Sequence, residues 1–553
     1  MTRKQLVVDP WLEAYLETVD RDNPVTYDRL VTIGQHALTA KIIDTENNNS
    51  ALPTKHQRKL PTKLTFDEIT AIMVHIFTFR LIYVSKRSDD TLLGIYVPHE
   101  EDIWQEAGRR PMQGTYVTQI DFFFRLMDPL APYFKKKDMQ DVLDRISRVV
   151  LPVNVTTEPH LFPVKNGVFN AKTQTLEPFT PDYIYLTKIQ VAYDAHASNP
   201  VITEPDGSTW DVDTWLRDLA IDDDVNTLLW QVIAASLQPN RGYNKSIWFY
   251  SQSGNNGKGT VGQLIKNLLG PDNYASLSVA DFKHEFLKET LIGVAANIAD
   301  ENDVETFIDS IKDYKASVTG DDVMINRKYL KPIRLQFRGL NIQMMNGLPR
   351  TRDKTDSFYR RLIIVPFIVS FTNNGEKSYI KSDFIHRTDV LEYVLHKALH
   401  LEMDEFIVPK ASMELLNQYK EKNNPVLDFW NDVKDEFVWD LLPSAFLYNL
   451  FNKWYEQNNP SGQMLAKRTF LDLLGVIIDM DPEWENHIDR DKSNVRSKGT
   501  MDDDEPMITD YGLHKDNGKH VSPWINQNYK GTNKQDIRNF NRKDRYRGVL
   551  RIT

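Results

Sequence analysis

One stretch of the chain, residues 246–270, constrains the fold more than any other. It reads SIWFYSQSGNNGKGTVGQLIKNLLG. The apolar segment Ser246–Tyr250 predicts a strand, and the apolar spacing after Val261 predicts a helix that ends at Gly270. Between them lies a loop of small residues that contains Lys258. A strand, a glycine loop and a helix in this order are typical of a phosphate-binding site, because loop and helix N–H groups point at the anion.

The loop departs from the usual pattern G-x-x-x-x-G-K-[ST] at two positions. Gln252 stands where the first glycine is expected, and Gly259 stands where a hydroxyl residue is expected, with Thr260 one residue later. A glycine-rich turn with a surface lysine therefore remains an alternative for this stretch alone. The candidate phosphate-binding residues are Gly254, Asn255, Asn256, Gly257, Lys258, Gly259 and Thr260.

Polar residues follow two later apolar segments. Residues 291–299 predict a strand that ends in Asp300 and Glu301, and residues 340–345 predict another that ends in Asn346. An aspartate at such a strand end can hold Mg²⁺, an adjacent glutamate can polarise the attacking water, and an amide can orient it. In isolation, a helix cap or a turn explains the same residues.

A basic segment lies between and after these strands, although the chain as a whole has a net charge of −10. Residues 311–361 contain 12 Lys and Arg against 5 Asp and Glu. Within them, MINRKYLKPIRLQF predicts a β-hairpin with Arg327 and Lys328 at its tip and Lys331 beside them. Such a hairpin can follow a phosphate backbone without reading sequence, and an exposed hairpin with solvated charges is the alternative.

The rest of the chain divides by composition, since 553 residues exceed what one hydrophobic core supports. We expect an α+β domain over 1–150, a second domain over 151–240 with an Asn-Gly hairpin, and a core over 241–405. Residues 406–553 predict three helices and a β-like end, which is typical of a winged-helix module, with a polar insertion at 487–533. The candidate DNA contacts here are Lys467, Arg468, Arg545 and Arg547, and packing of the basic tail against the core is equally compatible with the pattern.

The chain contains no cysteine, which excludes disulfides and Cys-ligated metal sites and fits a reducing compartment. The N-terminus lacks the apolar core of a signal peptide, and no run of 18 apolar residues occurs. We therefore expect a cytoplasmic protein that does not use a membrane.

Several motifs occur together in one order, and in this the chain resembles the primase–helicases of satellite phages, plasmids and poxviruses, whose motor is a superfamily 3 AAA+ helicase. The similarity covers roughly residues 150–553. Within this family, the chain most resembles the replication initiator helicases of staphylococcal mobile elements. The sequences that carry it are SGNNGKGT, IADEND, KASVTGDDVMINRKY, MMNGLP, FYRRLIIVPF, LPSAFLYNLFNKWYEQNN and RYRGVLRI.

The resemblance implies an α/β fold with an AAA+ P-loop ATPase core, an α+β N-terminal region and a C-terminal winged-helix domain. It implies an ATP-hydrolysing DNA helicase that forms a homo-hexameric ring, binds ATP and Mg²⁺ between subunits and holds DNA in its channel. Host replication proteins are candidate partners. A bifunctional primase–helicase and an ATP-regulated origin-binding protein that does not unwind DNA remain the alternatives.

The resemblance also assigns roles to residues. Lys258 would bind phosphates, Thr260 and Asp300 would hold Mg²⁺, Glu301 would activate water and Asn346 would act as a sensor. Arg361, with Arg360 as the second choice, would reach the γ-phosphate in a neighbouring subunit.

Overall fold

The computed structural model of the chain forms two compact units, Met1–Leu416 and Asn417–Thr553. The residues that it describes are 8–20, 25–108, 111–300, 302, 308, 311–328, 330–349, 351, 356–371, 377–458, 464–488, 495–496, 505–513 and 545–552. The division into four domains is not tested by these two units and stays a prediction.

The first part of unit 1 is a small sheet packed against helices. Helix α3 begins at a capping box, because Thr65 accepts from the N–H of Glu68 and the Glu68 carboxylate accepts from the N–H of Thr65. Its buried face packs on α5. The mixed sheet has the order β3-β2-β1-β4. The elements are α1 Pro10–Leu16, α2 Tyr27–Ser50, α3 Phe66–Ile76, β1 Phe79–Tyr83, β2 Thr91–Tyr96, β3 Tyr116–Val117, α4 Ile120–Met127, α5 Lys136–Val149 and β4 Pro152–Asn154, with 3-10 turns at Thr54–His56 and Asp102–Ala107.

A short β meander and two helices follow. The predicted Asn-Gly hairpin is present, with Val164 paired to Gly167 across the turn. Two aspartates cap the helices: Asp211 accepts from the N–H of Thr214, and Asp222 accepts from the N–H of Val225. The elements are β5 Leu161–Val164, β6 Gly167–Asn170, β7 Thr175–Glu177, β8 Ile202–Thr203, β9 Thr209–Trp210, α6 Val212–Leu219 and α7 Asp223–Ser236.

The centre of unit 1 is a five-stranded parallel sheet with the order β11-β12-β15-β10-β16 among the described residues. Its longer strands are buried on both faces, as the covered sheet of an α/β fold requires. The elements of this region are β10 Ser246–Tyr250, α8 Lys258–Leu269, β11 Tyr274–Ala275, β12 Ala296–Ala299, α9 Lys312–Thr319, β13 Asp322–Ile325, β14 Ile333–Gln336, β15 Leu340–Met345, α10 Asp356–Tyr359, β16 Leu362–Pro366, α11 Ser378–Ser382 and α12 Thr388–Leu399, with 3-10 turns at Ala280–Lys283, Leu287–Leu291 and Phe384–His386.

One of these elements, β12, is shorter than the prediction. The strand expected over 291–299 begins only at Ala296, because Leu291 ends a 3-10 turn and Gly293 takes a positive φ of 71°.

Unit 2 has its own core of helices and a three-stranded antiparallel sheet of order β17-β21-β18. Helix α13, Lys410–Asn423, runs across the boundary between the units. The other elements are α14 Pro425–Val433, β17 Leu441–Pro443, α15 Ser444–Asn458, α16 Lys467–Ile478, β18 Trp484–Asn486, β19 Val495–Arg496, α17 Met507–Asp510, β20 Arg545–Tyr546 and β21 Gly548–Arg551.

Part of the predicted polar insertion at 487–533 belongs to this core. The side chains of Met507 and Ile508 are buried, and the carboxylate of Glu505 accepts the backbone N–H groups of Val438 and Trp439. Burial raises the pKa of Glu505, which the three backbone N–H groups around it oppose. The sequence did not predict this contact, because Glu505 ends a run of four acidic residues and composition does not show which carboxylate of such a run is buried.

Candidate functional site

The loop between β10 and α8 has a backbone shape that its sequence makes possible. Asn255 and Gly257 take positive φ angles of 51° and 83°. A Cβ atom on Gly257 would lie 2.5 Å from the Leu219 side chain, so this position requires glycine. A Cβ atom on Gly254 or Gly259 would meet nothing within 4 Å. These two glycines therefore face the open space that a bound group needs.

Hydrogen bonds within the loop hold it in place. The buried Asn256 side chain donates to the carbonyl of Ser253 and accepts from the N–H of Lys258 at 3.4 Å. The hydroxyl of Ser251 donates to the same Ser253 carbonyl at 3.0 Å. Contacts within the loop therefore hold its shape.

Lys258 begins α8 and is only 9 % exposed. Its ammonium group donates to the side-chain oxygen of Asn346, which follows β15 at the same edge of the sheet. Burial lowers the pKa of Lys258, because the charged form loses hydration there. The lysine and the strand-end amide that the sequence singled out are therefore in direct contact.

Asp300 follows β12 at this edge, and its partner is a residue that the sequence analysis missed. The Lys266 ammonium donates to the Asp300 carboxylate, and the side chain of Lys266 is only 7 % exposed. Lys266 lies about two helical turns after Lys258 on α8, so helical spacing could have identified it. Thr260 lies in the first turn of α8 and lines the same cleft as Asp300. Glu301 lies outside the described residues.

These side chains line a cleft of about 1260 Å³. The loop residues 254–260, Asp300 and Asn346 line one side of it, and two further segments, within 204–219 and within 377–386 together with Phe371, line the other. The lining residues from these two segments that sequence reasoning did not identify include aromatic and basic side chains, namely Trp210, Trp215, Phe371, Lys377, Lys381 and His386. No local pattern marks them, because only the tertiary fold brings them to the loop.

Arg360 and Arg361 lie at the amino ends of the parallel strands, on the side of the sheet opposite the β10–α8 loop. They directly precede β16, whose first residue, Leu362, pairs with Ser246 at the start of β10. The length of β10, about 13 Å, therefore separates them from the loop in the same chain. Arg361 is half-buried and donates to the backbone and side-chain oxygens of Ser357, whereas Arg360 is exposed.

The basic hairpin is present as β13 and β14, which pair from Asp322↔Gln336 to Ile325↔Ile333. Arg327 at its tip is 14 % exposed and lies 3.5 Å from the carboxylate of Glu289. Lys328 and Lys331 are exposed. Arg327 is therefore mostly buried beside a carboxylate, whereas the side chains of Lys328 and Lys331 are exposed.

The candidate contacts in unit 2 lie at two places. Lys467 and Arg468 begin α16, where Arg468 is exposed and Lys467 lies 6.0 Å from the ring of Tyr448. Arg547 is exposed between β20 and β21, and Arg545 begins β20, with its side chain outside the described part.

Three family models match separate parts of the chain. Residues 91–220 match "D5 N terminal like", and residues 421–505 match "Poxvirus D5 protein-like". Residues 249–361, which contain the loop, match a family of unknown function, DUF5906. No curated protein matches the chain.

Solved structures give a weaker likeness. Two apo structures of the NrS-1 C-terminal region are similar at 13 % and 12 % identity, cover 74 % and 78 % of this chain and 85 % and 96 % of theirs, and have TM-scores of 0.38. A JCV helicase with a bound small molecule is similar at 12 % identity over 44 % of this chain and 63 % of that one, with a TM-score of 0.24. TM-scores this low do not establish a shared arrangement. Among the described residues, no helix combines the length and the apolar character needed to cross a membrane.

Proposed function

We propose, from the premise that the chain belongs to the D5-like family of superfamily 3 primase–helicases, that it is an ATP-driven DNA helicase. It acts as a homo-hexameric AAA+ ring that moves along DNA and initiates replication of a phage-like or chromosomal mobile element.

The observation that carries this proposal is the cleft at the carboxyl edge of the parallel sheet. Lys258 touches Asn346 there, and Thr260 and Asp300 line the same space. In α/β folds, ligands bind in the crevice at the carboxyl ends of the strands. The fixed loop, the buried cation and the strand-end carboxylate are what binding and hydrolysis of a nucleoside triphosphate require.

The residues present fit ATP and Mg²⁺. Open space above Gly254 and Gly259 leaves the loop N–H groups accessible to phosphates, and Lys258 supplies a positive charge. The Thr260 hydroxyl and the Asp300 carboxylate offer the hard oxygen ligands that Mg²⁺ prefers. When bound, Mg²⁺ supplies charge neutralisation at the β- and γ-phosphates. Glu301 remains the proposed water-activating residue, and Asn346 the residue that orients that water.

An exposed arginine at the opposite edge of the sheet supports a site shared between subunits. Arg360 cannot serve the loop of its own chain across the length of β10, but it can reach a neighbour's cleft in a ring. Its exposure favours Arg360 as the arginine finger over Arg361, whose guanidinium is engaged by Ser357.

We assign DNA contact to two surfaces. The hairpin with Lys328 and Lys331 would line the channel of the ring and contact the phosphate backbone. In unit 2, a winged-helix arrangement would use Lys467, Arg468, Arg545 and Arg547 on duplex DNA, with α16 as the helix that approaches the groove.

The test is strand displacement on forked DNA together with DNA-stimulated ATP hydrolysis. Lys258→Ala should abolish both while the protein stays folded, because it removes the cation from the phosphate site. Lys172→Ala, which removes an exposed lysine outside the cleft, is the matched control and should change neither. A Lys258→Ala protein that unwinds at the normal rate would refute the proposal.

The same samples separate the two alternatives. Primer synthesis on a single-stranded template would favour the bifunctional primase–helicase. Specific binding of duplex DNA without strand separation would favour the origin-binding protein.

A further inference from the structure

The turn between β1 and β2, residues 84–90, lies against the basic hairpin, and we call it the clamp turn. The N–H of Gln336 on β14 donates to the carbonyl of Val84 at 2.9 Å. The Asp90 carboxylate accepts from both the backbone N–H and the side-chain Nε of Arg334, at 3.0 and 2.9 Å. The contacts between Asp90 and Arg334 join residues that are 244 positions apart in the chain. One strand of the hairpin is therefore held by the N-terminal domain.

The clamp turn also holds the other strand. Arg87 donates to the carboxylate of Asp321, the residue directly before β13, at 2.6 Å. The hydroxyl of Ser85 donates to the carboxylate of Asp322, the first residue of β13. Ser85 is buried, so this contact is shielded from water. The hydroxyl of Thr319 and then Arg87 hold the pKa of Asp321 below its usual range, so the acceptor stays charged at neutral pH. Both strands of the hairpin are thus fastened near its base.

The hairpin needs such support. Among the described strands, β13 and β14 pair only with each other, and a two-stranded hairpin is marginally stable by itself. One face is packed, since Val323 and Ile325 are buried, while Met324 on the other face is exposed. The last strand pair, Ile325↔Ile333, lies directly before the tip. The position of the tip therefore depends on what fixes the strands beneath it.

We infer that the clamp turn is a positioning element for the hairpin, so that the N-terminal domain fixes the place of Lys328 and Lys331. Ser85, Arg87 and Asp90 are its positioning residues and contact no nucleotide site. This gives a role in DNA-coupled turnover to a domain for which the sequence offered none. The inference rests on the proposed function, because it takes the hairpin to contact DNA.

The test uses a charge exchange across the clamp. Asp90→Arg and Arg334→Asp each break the ion pair, and the double variant restores it with the charges reversed. We expect each single variant to lose about two- to fivefold of the DNA-stimulated ATP hydrolysis, the range of an exposed pair, with basal hydrolysis unchanged. The double variant should recover part of the loss, because it restores the ion pair but not the hydrogen bond from the backbone N–H of Arg334. A single variant that lost its fold would lose basal hydrolysis too.

A second measurement does not depend on nucleotide or DNA. Because the chain contains no cysteine, Lys331→Cys gives one site for a spin label at the hairpin tip. The label should become more mobile in each single variant, and its mobility should fall again in the double variant, where the ion pair is restored. Asp67→Ala, which breaks the exposed pair with Arg145 elsewhere in the N-terminal domain, is the matched control and should leave mobility unchanged.

The two measurements distinguish the possible failures. Unchanged label mobility in both single variants would overturn the inference whatever the protein does with DNA. Increased mobility with undiminished DNA stimulation would overturn it too, but would leave the helicase proposal intact. Absence of DNA stimulation in the unaltered protein would overturn the proposed function and the DNA role of the clamp together.

Discussion

The cleft beside the β10–α8 loop and the basic hairpin, the two regions that we connect with function, are stabilised in opposite ways. The cleft is built around buried groups, with Lys258 and Lys266 each engaged by a polar partner at the edge of a covered sheet. The hairpin is a two-stranded ribbon whose tip lysines are exposed and whose strands make polar contacts with the turn between β1 and β2.

This difference indicates which step each region controls. Groups in a buried, pre-formed site act on the transition state and carry large effects when removed. Exposed charges on a two-stranded ribbon contribute small, salt-dependent increments. We therefore expect changes at the cleft to stop turnover altogether, and changes at the hairpin to weaken only its dependence on DNA.

The largest effect should come from Arg360, which would complete the cleft of a neighbouring subunit. An arginine finger supplied in trans is worth on the order of 10³–10⁵ in rate, so Arg360→Ala should remove most turnover and leave ATP binding. Arg361→Ala should act mainly by loosening the turn at Ser357, and its loss should be accompanied by a lower melting temperature. Steady-state hydrolysis, nucleotide affinity and thermal melts separate the two.

Mixing experiments test whether the site is shared. Arg360→Ala protein mixed with Lys258→Ala protein should regain part of the activity, since each variant supplies what the other lacks. No recovery at any mixing ratio would count against a shared site. Recovery only when Arg361→Ala protein is used in place of Arg360→Ala would identify Arg361 as the arginine finger.

An intermediate effect should come from Thr260, the hydroxyl that we place on Mg²⁺. Thr260→Ala should raise the Mg²⁺ concentration needed for half-maximal hydrolysis by about tenfold or more, the scale at which metal sites respond to lost partners. Thr260→Ser keeps the hydroxyl and is the matched control. The same Mg²⁺ dependence in the unaltered protein and in both variants would show that Thr260 does not hold Mg²⁺.

The sequence predicted the central sheet well, because its signals there are local. Strands β10 and β15 have the bounds that the apolar segments indicated, and the D5-like family resemblance is confirmed. In the sequence, a parallel strand that is covered on both faces is a continuous apolar run. Helix α8 ends at Gly270, whose positive φ angle favours glycine. The role of each site residue stays a prediction.

What the sequence did not reveal depends on contacts between distant segments. Nothing near Asp90 indicates that it accepts from Arg334. Trp210 reaches the cleft only because α6 packs beneath the loop at Gly257. Arg327 looked equivalent to its neighbour Lys328 until the fold placed Glu289 beside it. Pairings of this kind are decided by tertiary packing, which periodicity and composition do not encode.

The smallest effect, and the one that most sharpens the contrast with the cleft, should come from the hairpin tip. Lys331→Ala should weaken DNA binding uniformly across sequences and reduce the slope of log affinity against log salt by about one. Arg327→Ala should reduce it less, because the charge of Arg327 is already offset by Glu289 at 3.5 Å. Basal hydrolysis should stay unchanged in both, as in Lys172→Ala. A larger change in slope for Arg327 than for Lys331 would mean that DNA displaces Glu289, and that the tip rearranges when DNA binds.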